Sequence, residues 1–424
     1  MTLHPAPNTL HERVLVGTAS SGLRLVVDSK PGFARTFAAL GVDFGSIDRR
    51  GGPDGQPVPA GLAHFLEHEL FEDEHGDVSD RFARHGAWCN ASTGYSTTSY
   101  VFSTSGPAGP SLELLLDFVQ TPWFTDELVA RERSIIGQEI RMYDDDPDWV
   151  VFQNLMECLY ERHPARDNIA GTLDSIAGID AATLRRCYGL FYHPRNMCLV
   201  VAGGMDPDEV VERVERDQRA RGVDPRAAHA RDDHGEPARV RAARHEATMP
   251  ISRPRLVLGI KETRLDGGPL AVRRRELTTR LLLDALFGRA SRTFERLYED
   301  GLVDETFTVS HVAEDGFGLT IVGGDTDDPE GLEARVRAAF EDARRDGLDE
   351  AALRRTRNKV RGAMLRGLDS PESAAYALLV ETFRGVPPLG IPEAIEGITL
   401  DELRARLDEH VRDEAIAVAV LRPS

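Results

Sequence analysis

Two stretches of the chain, residues 197–202 and 416–421, are near-continuous apolar runs, the pattern of strands covered on at least one face by helices. Each follows an amphipathic helical pattern, and each of those follows a similar lead-in: Ile176-Ala177-Gly178-Ile179-Asp180 in one case, Ile395-Glu396-Gly397-Ile398-Thr399 in the other. A second echo joins residues 128–147 to residues 353–371. Both carry apolar residues at helical spacing, and both stop at an Asp-x-Pro, ending in Pro147 and Pro371. Residues 86–102 have the composition of strands with one accessible side. The chain therefore reads as a duplication.

Between the copies, residues 217–249 are rich in Arg, Ala, Asp and His, and Pro225, Pro237 and Pro250 interrupt any long helix. We expect a first domain over 1–220, an exposed linker over 221–250 and a homologous second domain over 251–424. The order within each half, strands, then helices, then a returning strand, predicts an α+β fold: two α/β-sandwich halves, each a mostly antiparallel sheet with helices. At 424 residues the chain is long enough for two to three average domains.

Chemistry enters with His64-Phe65-Leu66-Glu67-His68. On a helix, side chains four apart share a face, so His64 and His68 can reach one metal ion while Phe65 and Leu66 turn to apolar packing. Glu67 then stands beside the metal, able to take a proton from a water whose pKa zinc lowers to roughly 7. This H-x-x-E-H order reverses the commoner H-E-x-x-H. A surface helix carrying two His and a Glu by chance is the bland alternative. Catalytic zinc usually takes a third protein ligand. Glu132 and Glu139, seven apart on one face of the 128–142 helix, are candidates, unless both are solvated partners of Arg131, Arg133 and Arg141. The duplicated helix holds Thr356 and Ala363 at these positions, and the region near 288–292 that answers the histidine motif has no His. Only the first half can be catalytic.

With these motifs in order along essentially the whole chain, it resembles the pitrilysin/insulinase family of inverted zincin peptidases, which includes the mitochondrial processing peptidase. Residues 61–71 look like the family's zinc helix, 86–100 like its substrate-edge strand and 131–147 like its second ligand helix. The resemblance implies zinc bound by His64, His68 and Glu139, with Glu67 as general base and Glu132 in support. It also implies that Asn90 and Ala91 orient an extended peptide, and that two such halves face each other around a chamber. The alternative for Asn90 is a turn residue of an ordinary strand. Single-chain and homodimeric relatives carry an Arg-Glu-x-x-Gly-Leu-x-Tyr pattern whose Arg and Tyr steady the oxyanion. Here Leu297 or Tyr298 stands at the Arg and Asp304 at the Tyr. The resemblance is therefore strongest to the bacterial subfamily that works in pairs, one subunit with H-x-x-E-H and one without, some removing leaders from ribosomally made peptides. A homodimer is the alternative, and a non-catalytic scaffold subunit is the alternative from another class.

Other residues change the picture little. His75, His85, His163 and His193 fit structural roles, and Asp144-Asp145-Asp146-Pro147 lacks calcium-loop spacing and reads as an acidic helix end. Cys89, Cys158, Cys187 and Cys198 show no C-x-x-C spacing and are expected to be reduced. The net charge of −19 argues against nucleic acid and favours basic peptides. Neither a signal peptide nor a membrane span is legible, so a cytoplasmic protein is expected.

Overall fold

The structure, a computed structural model, describes residues 1–10, 12–49, 55–222, 231, 233–314 and 316–424. The chain divides into two compact units: one comprises residues 1–140, 168–232 and 364–390, the other 141–167, 233–363 and 391–424.

The sheet of the first unit has seven strands in the order β1-β2-β3-β9-β4-β8-β7. These are β1 (His4–Pro5), β2 (Val14–Thr18), β3 (Arg24–Ser29), β4 (Thr36–Val42), β7 (Ala87–Thr93), β8 (Thr98–Thr104) and β9 (Met197–Gly203). A separate two-stranded pair is formed by β5 (Glu72–Asp73) and β6 (Gly76–Asp77). The second unit orders five strands β10-β14-β11-β13-β12: β10 (Arg244–Met249), β11 (Arg255–Lys261), β12 (Thr308–Ala313), β13 (Gly318–Asp325) and β14 (Ile416–Pro423). Strands β3-β9-β4-β8-β7 and β10-β14-β11-β13-β12 repeat one topology, each with a single parallel pair, β3 with β9 and β10 with β14. The expected duplication and the mostly antiparallel sheets are both present. The apolar runs are β9 and β14, the central strands that neighbours hydrogen-bond on both sides.

One helix in each half crosses to the other unit. Among the described residues, five α-helices precede residue 160: α1 (Leu62–Glu69), α2 (Val78–Arg84), α3 (Gly109–Gln120), α4 (Asp126–Asp144) and α5 (Pro147–Leu159). Helices α1 and α3 pack on the first sheet, but α5 packs on β10, β11 and β14 of the second. Reciprocally, the helix Pro371–Phe383 packs on β3, β4 and β9 of the first. Both start with proline in the first turn behind a side-chain cap, Asp146 or Ser370. Each seats a leucine against a glycine of the strand beneath it. A Cβ at Gly41 would stand 2.8 Å from Leu379 Cδ1 and 2.7 Å from Phe383 Cε2, and one at Gly259 would stand 2.8 Å from Leu155 Cδ1. Glycine at these places lets helix and sheet approach closely.

This division departs from the contiguous domains 1–220 and 251–424, because each unit borrows a segment from the other half. The expected linker 221–250 also differs. Residues 223–230 and 232, Pro225 among them, lie outside the described residues. Residues 244–249 are strand β10, whose alternating exposure and parallel pairing with β14 make it part of the sheet. Ahead of it, the Glu236 carboxylate accepts from Lys261 Nζ (2.5 Å) and from the backbone N–H groups of Glu161 (2.9 Å), Arg162 and His163 (both 2.7 Å). A segment held by four donors is part of the unit rather than a loose connection.

Candidate metal centre

Helix α1 begins abruptly. Gly61 precedes it at φ 82°, and a Cβ there would lie 2.4 Å from the Ala170 carbonyl oxygen, so both the left-handed backbone and the close approach require glycine. Ser175 Oγ donates to the Ala60 carbonyl (3.0 Å), tying down the same corner. In the eight residues that follow, Leu62, Phe65 and Leu66 are buried in the core. His64, Glu67 and His68 take the other side, and the two imidazole centroids lie 4.5 Å apart.

Helix α4 runs beside them. Thr125 Oγ1 accepts from Leu128 N–H (3.2 Å) at its start, and Val129, Ile136 and Ile140 form its buried stripe. Its arginines are engaged elsewhere: Arg131 pairs with Glu72, and Arg133 Nη2 donates to the Ile179 carbonyl (2.5 Å). Glu132 and Glu139 turn to α1 instead, with side chains 12% and 22% exposed, which decides against two solvated carboxylates. Glu139 Oε2 lies 3.6 Å from His64 Nε2 and 3.6 Å from His68 Nε2, and one donor atom from each of the three residues falls within 4.8 Å of the others. Ligands about 2.0–2.1 Å from a tetrahedral ion sit roughly 3.4 Å apart, so the three donors fit zinc, and two imidazoles with one carboxylate suit its borderline softness. Glu132 Oε1 is 2.7 Å from His68 Nδ1. That bond takes the proton on Nδ1 and leaves the Nε2 lone pair facing Glu139. His64 Nδ1 is buried with no hydrogen-bond partner among the described residues.

Burial and mutual charge tune these groups. Burial, with the neighbouring His68, pushes His64 down to about 4, so it is neutral near pH 7. Burial opposes protonation of His68 too, but the Glu132 hydrogen bond and the charges of Glu67, Glu132 and Glu139 outweigh it, and its pKa is raised. Burial raises Glu67 against the opposing pull of His68 and Thr93. Thr93 Oγ1 donates to Glu67 Oε2 (2.8 Å), linking the zinc-motif helix to strand β7. Glu69 is buried with neither carboxylate oxygen hydrogen-bonded among the described residues, and burial reinforced by Glu132 lifts it to about 7.

Strand β7 is the edge of its sheet. Strand alternation sends Cys89, Ala91 and Thr93 to the face of Glu67, and Trp88, Asn90 and Ser92 to the opposite face. Ala91 thus shares the face of the cluster, whereas the Asn90 side chain leaves it. Thr93, Glu69 and the buried hydroxyl pair Tyr100–Tyr192 (2.8 Å) are neighbours that sequence reasoning passed over. Only Thr93 left a signal, an even spacing from Ala91 along the strand. At the positions of the absent oxyanion donors, Leu297 is buried, Tyr298 is exposed, and Asp304 pairs with Arg253 (2.5 Å) and accepts from Thr306 N–H (2.9 Å). Asp146, of the acidic run before Pro147, caps α5 by accepting from Asp148 N–H (2.9 Å), and His163 Nδ1 accepts from Ala165 N–H (3.1 Å). No helix of the described residues is long and apolar enough to cross a membrane.

Comparison with known proteins adds three findings. The insulinase (peptidase family M16) sequence model matches residues 26–173, and the model of the M16 inactive domain matches residues 178–360. The chain is 36% identical over 418 residues to the uncharacterized zinc protease YmfH of Bacillus subtilis, covering 98% of this chain and 97% of that protein. Among solved structures, a putative M16-like peptidase from Alicyclobacillus acidocaldarius superposes with a TM-score of 0.93 at 34% identity, covering 98% of this chain and 100% of the other. A protease from Helicobacter pylori shares the fold at a TM-score of 0.82 and 18% identity, over 97% of this chain and 100% of its own.

Proposed function

The chain belongs to the insulinase family, peptidase family M16, and on that premise we propose that it is a zinc-dependent endopeptidase acting on peptides or small unfolded polypeptides. The observation that carries the reading is the convergence of His64, His68 and Glu139, with Glu132 on the far nitrogen of His68. His64, His68 and Glu139 would hold the zinc, which when bound would supply polarisation of a peptide carbonyl and a water of pKa about 7. Glu67 takes the proton of the attacking water on its carboxylate and returns it to the leaving amine; its raised pKa suits both directions. Glu132 holds His68 in the ligating tautomer. Strand β7 presents its free edge to an extended peptide, with Asn90 and Ala91 flanking the bond that is cut.

Zinc analysis and hydrolysis of unstructured peptides test this directly. We expect one zinc per chain and cleavage that a chelator stops and zinc restores. A scaffold subunit predicts neither, and that result would replace the reading.

We further propose that the chain works with a homologous subunit lacking H-x-x-E-H, in the cytoplasm, on a substrate class that includes leaders of ribosomally made peptides. Support for the partner comes from the lack of the Arg and Tyr at these places: Leu297 is buried, Tyr298, the alternative at the Arg position, is exposed and uncharged, and Asp304 is ion-paired with Arg253. None of the four cysteines forms a disulfide, in keeping with a reducing compartment. Co-expression with such a homologue should raise kcat/KM on the order of 100-fold over the single chain. Full activity of the purified chain alone, with no gain from the homologue, would favour a homodimer.

A further inference from the structure

Strand β7 carries a large apolar side chain at a place where packing does not require one. Register places Trp88 opposite Ser103 of β8, Ser103 opposite Phe37 of β4, and Phe37 opposite Ala202 of β9. Phe37 and Ala202 are fully buried, in a core cluster shared with residues of the helix Pro371–Phe383. Trp88 ends this row at the sheet edge, 52% exposed. Next to it the row turns polar: Ser103 Oγ accepts from Arg35 Nε (2.7 Å), and Arg35 reaches Glu372 at 3.5 Å. The indole therefore offers an uncovered apolar surface bounded by a hydrogen-bonded arginine.

The outer edge of β7 is also the edge that runs to the metal cluster, since Thr93 on the same strand donates to Glu67. A peptide that adds to this edge puts a side chain directly beside Trp88, on the same face of the extended sheet. Resting on the endopeptidase reading above, we propose that Trp88 is a specificity-determining residue that selects a large apolar side chain, aromatic or branched aliphatic, on the C-terminal side of the cleaved bond. The position follows from register. In an antiparallel peptide, the residue opposite Trp88 lies C-terminal to those opposite Ala91 and Thr93 by about three to five residues. Its side chain points away from the cluster, so selection there is separate from the chemistry at Glu67. Burying an aliphatic or aromatic side chain against an indole corresponds to a preference of roughly tenfold or more.

The test is a set of peptides alike except for Phe, Leu or Gly at each of the second to sixth residues after the cleaved bond. Two readouts are taken on each: kcat/KM with the active protein, and fluorescence-anisotropy binding with the Glu67→Gln variant. We expect a preference of about tenfold for Phe and Leu over Gly at one position in that window, in both readouts. Trp88→Ala should reduce the ratio to under about twofold and Trp88→Phe should retain most of it. A merely structural role for Trp88 would lower all peptides together and leave the ratio intact. An absent preference, or one that survives Trp88→Ala, overturns the proposal even if cleavage proceeds. Failure of the endopeptidase reading shows separately, as hydrolysis undiminished by Glu67→Gln or as no zinc-dependent hydrolysis, while the binding ratios still judge Trp88.

Discussion

Behind the edge strand of the first unit, Phe44 stacks on Phe191 with centroids 4.0 Å apart, and Tyr100 shares a hydrogen bond with Tyr192. The same stations in the second unit are polar. Glu262, three residues past Gly259 as Phe44 is past Gly41, pairs with Arg406. His410 ends its helix as Phe191 does, and its Nε2 lies 2.8 Å from Thr320 Oγ1, which in turn lies 2.9 Å from His311 Nδ1. His311 occupies the place of Ala91 on the edge strand, counted from hairpins of equal loop length. One unit thus keeps a largely apolar back wall and sets its ionisable groups at the front. The other has Thr356 and Ala363 at the front and its charges inside. The comparison teaches that this scaffold tolerates either arrangement, provided each buried charge finds a partner. Among the described residues, a cluster with the spacing to hold a metal ion, His64, His68 and Glu139, is what distinguishes the first unit.

The comparison can be broken first at its chemical end. Glu67→Gln removes only the base, so kcat should fall by about 10²–10⁴-fold while zinc stays at one per chain; His64→Ala or His68→Ala should instead lose the metal, read by atomic emission. In the second unit, Arg406→Ala takes the arginine from a buried Glu262 carboxylate that keeps only the N–H groups of Thr263 and Arg264 as donors on its other oxygen. Urea unfolding should show a loss of about 3–5 kcal/mol. Restoring the first unit's residues together, Glu262→Phe with Arg406→Cys and His410→Phe, should cost less than that single change.

A smaller effect comes from Glu132→Gln. With its charge gone, zinc affinity at pH 8 should drop roughly 10–100-fold in a competition with a chelator. The pH dependence fixes the cause. His64 is neutral down to about 4, so His68, raised above its ordinary 6.5, is the imidazole whose protonation competes with the metal. Zinc affinity of the unaltered protein should fall as pH falls through a midpoint above 6.5, and the midpoint should move down in Glu132→Gln. In metal-free protein the same shift acts with opposite sign: stability from protonated His68 is full below 6.5 and is lost as pH rises through the raised value. The mildest change is paired. Gly41→Ala and Gly259→Ala push a Cβ into Leu379 or Leu155, and each should cost about 1–3 kcal/mol in its own unit, equal within error if the two contacts are true counterparts.

Much of this was legible beforehand for identifiable reasons. His64, His68 and the seven-residue spacing of Glu132 and Glu139 follow from helix periodicity, which is local. Strands β9 and β14 are visible because central strands bury both faces. The edge strand is visible through its alternation. What escaped depends on partners distant in the chain. Nothing near Gly41 announces that a helix some 340 residues later lies over it. Strand β10 hid in a polar segment because only alternate residues are half-covered. Glu236 read as linker because its four donors come from residues 161–163 and 261. Asn90 was grouped with Ala91, yet strand parity sends the two side chains to opposite faces.

The exchanged helices bear on how the protein is made. As the chain leaves the ribosome, the strands of the first sheet are all out by Gly203, but the Pro371–Phe383 helix that covers β3, β4 and β9 follows roughly 170 residues later. At about 5–20 residues per second that is on the order of 10–30 s during which one apolar face of a nascent sheet has no lid. Newly made chains are therefore expected to lean on holding chaperones, and a gene cut between the two halves should yield fragments that aggregate singly and recover only when synthesised together.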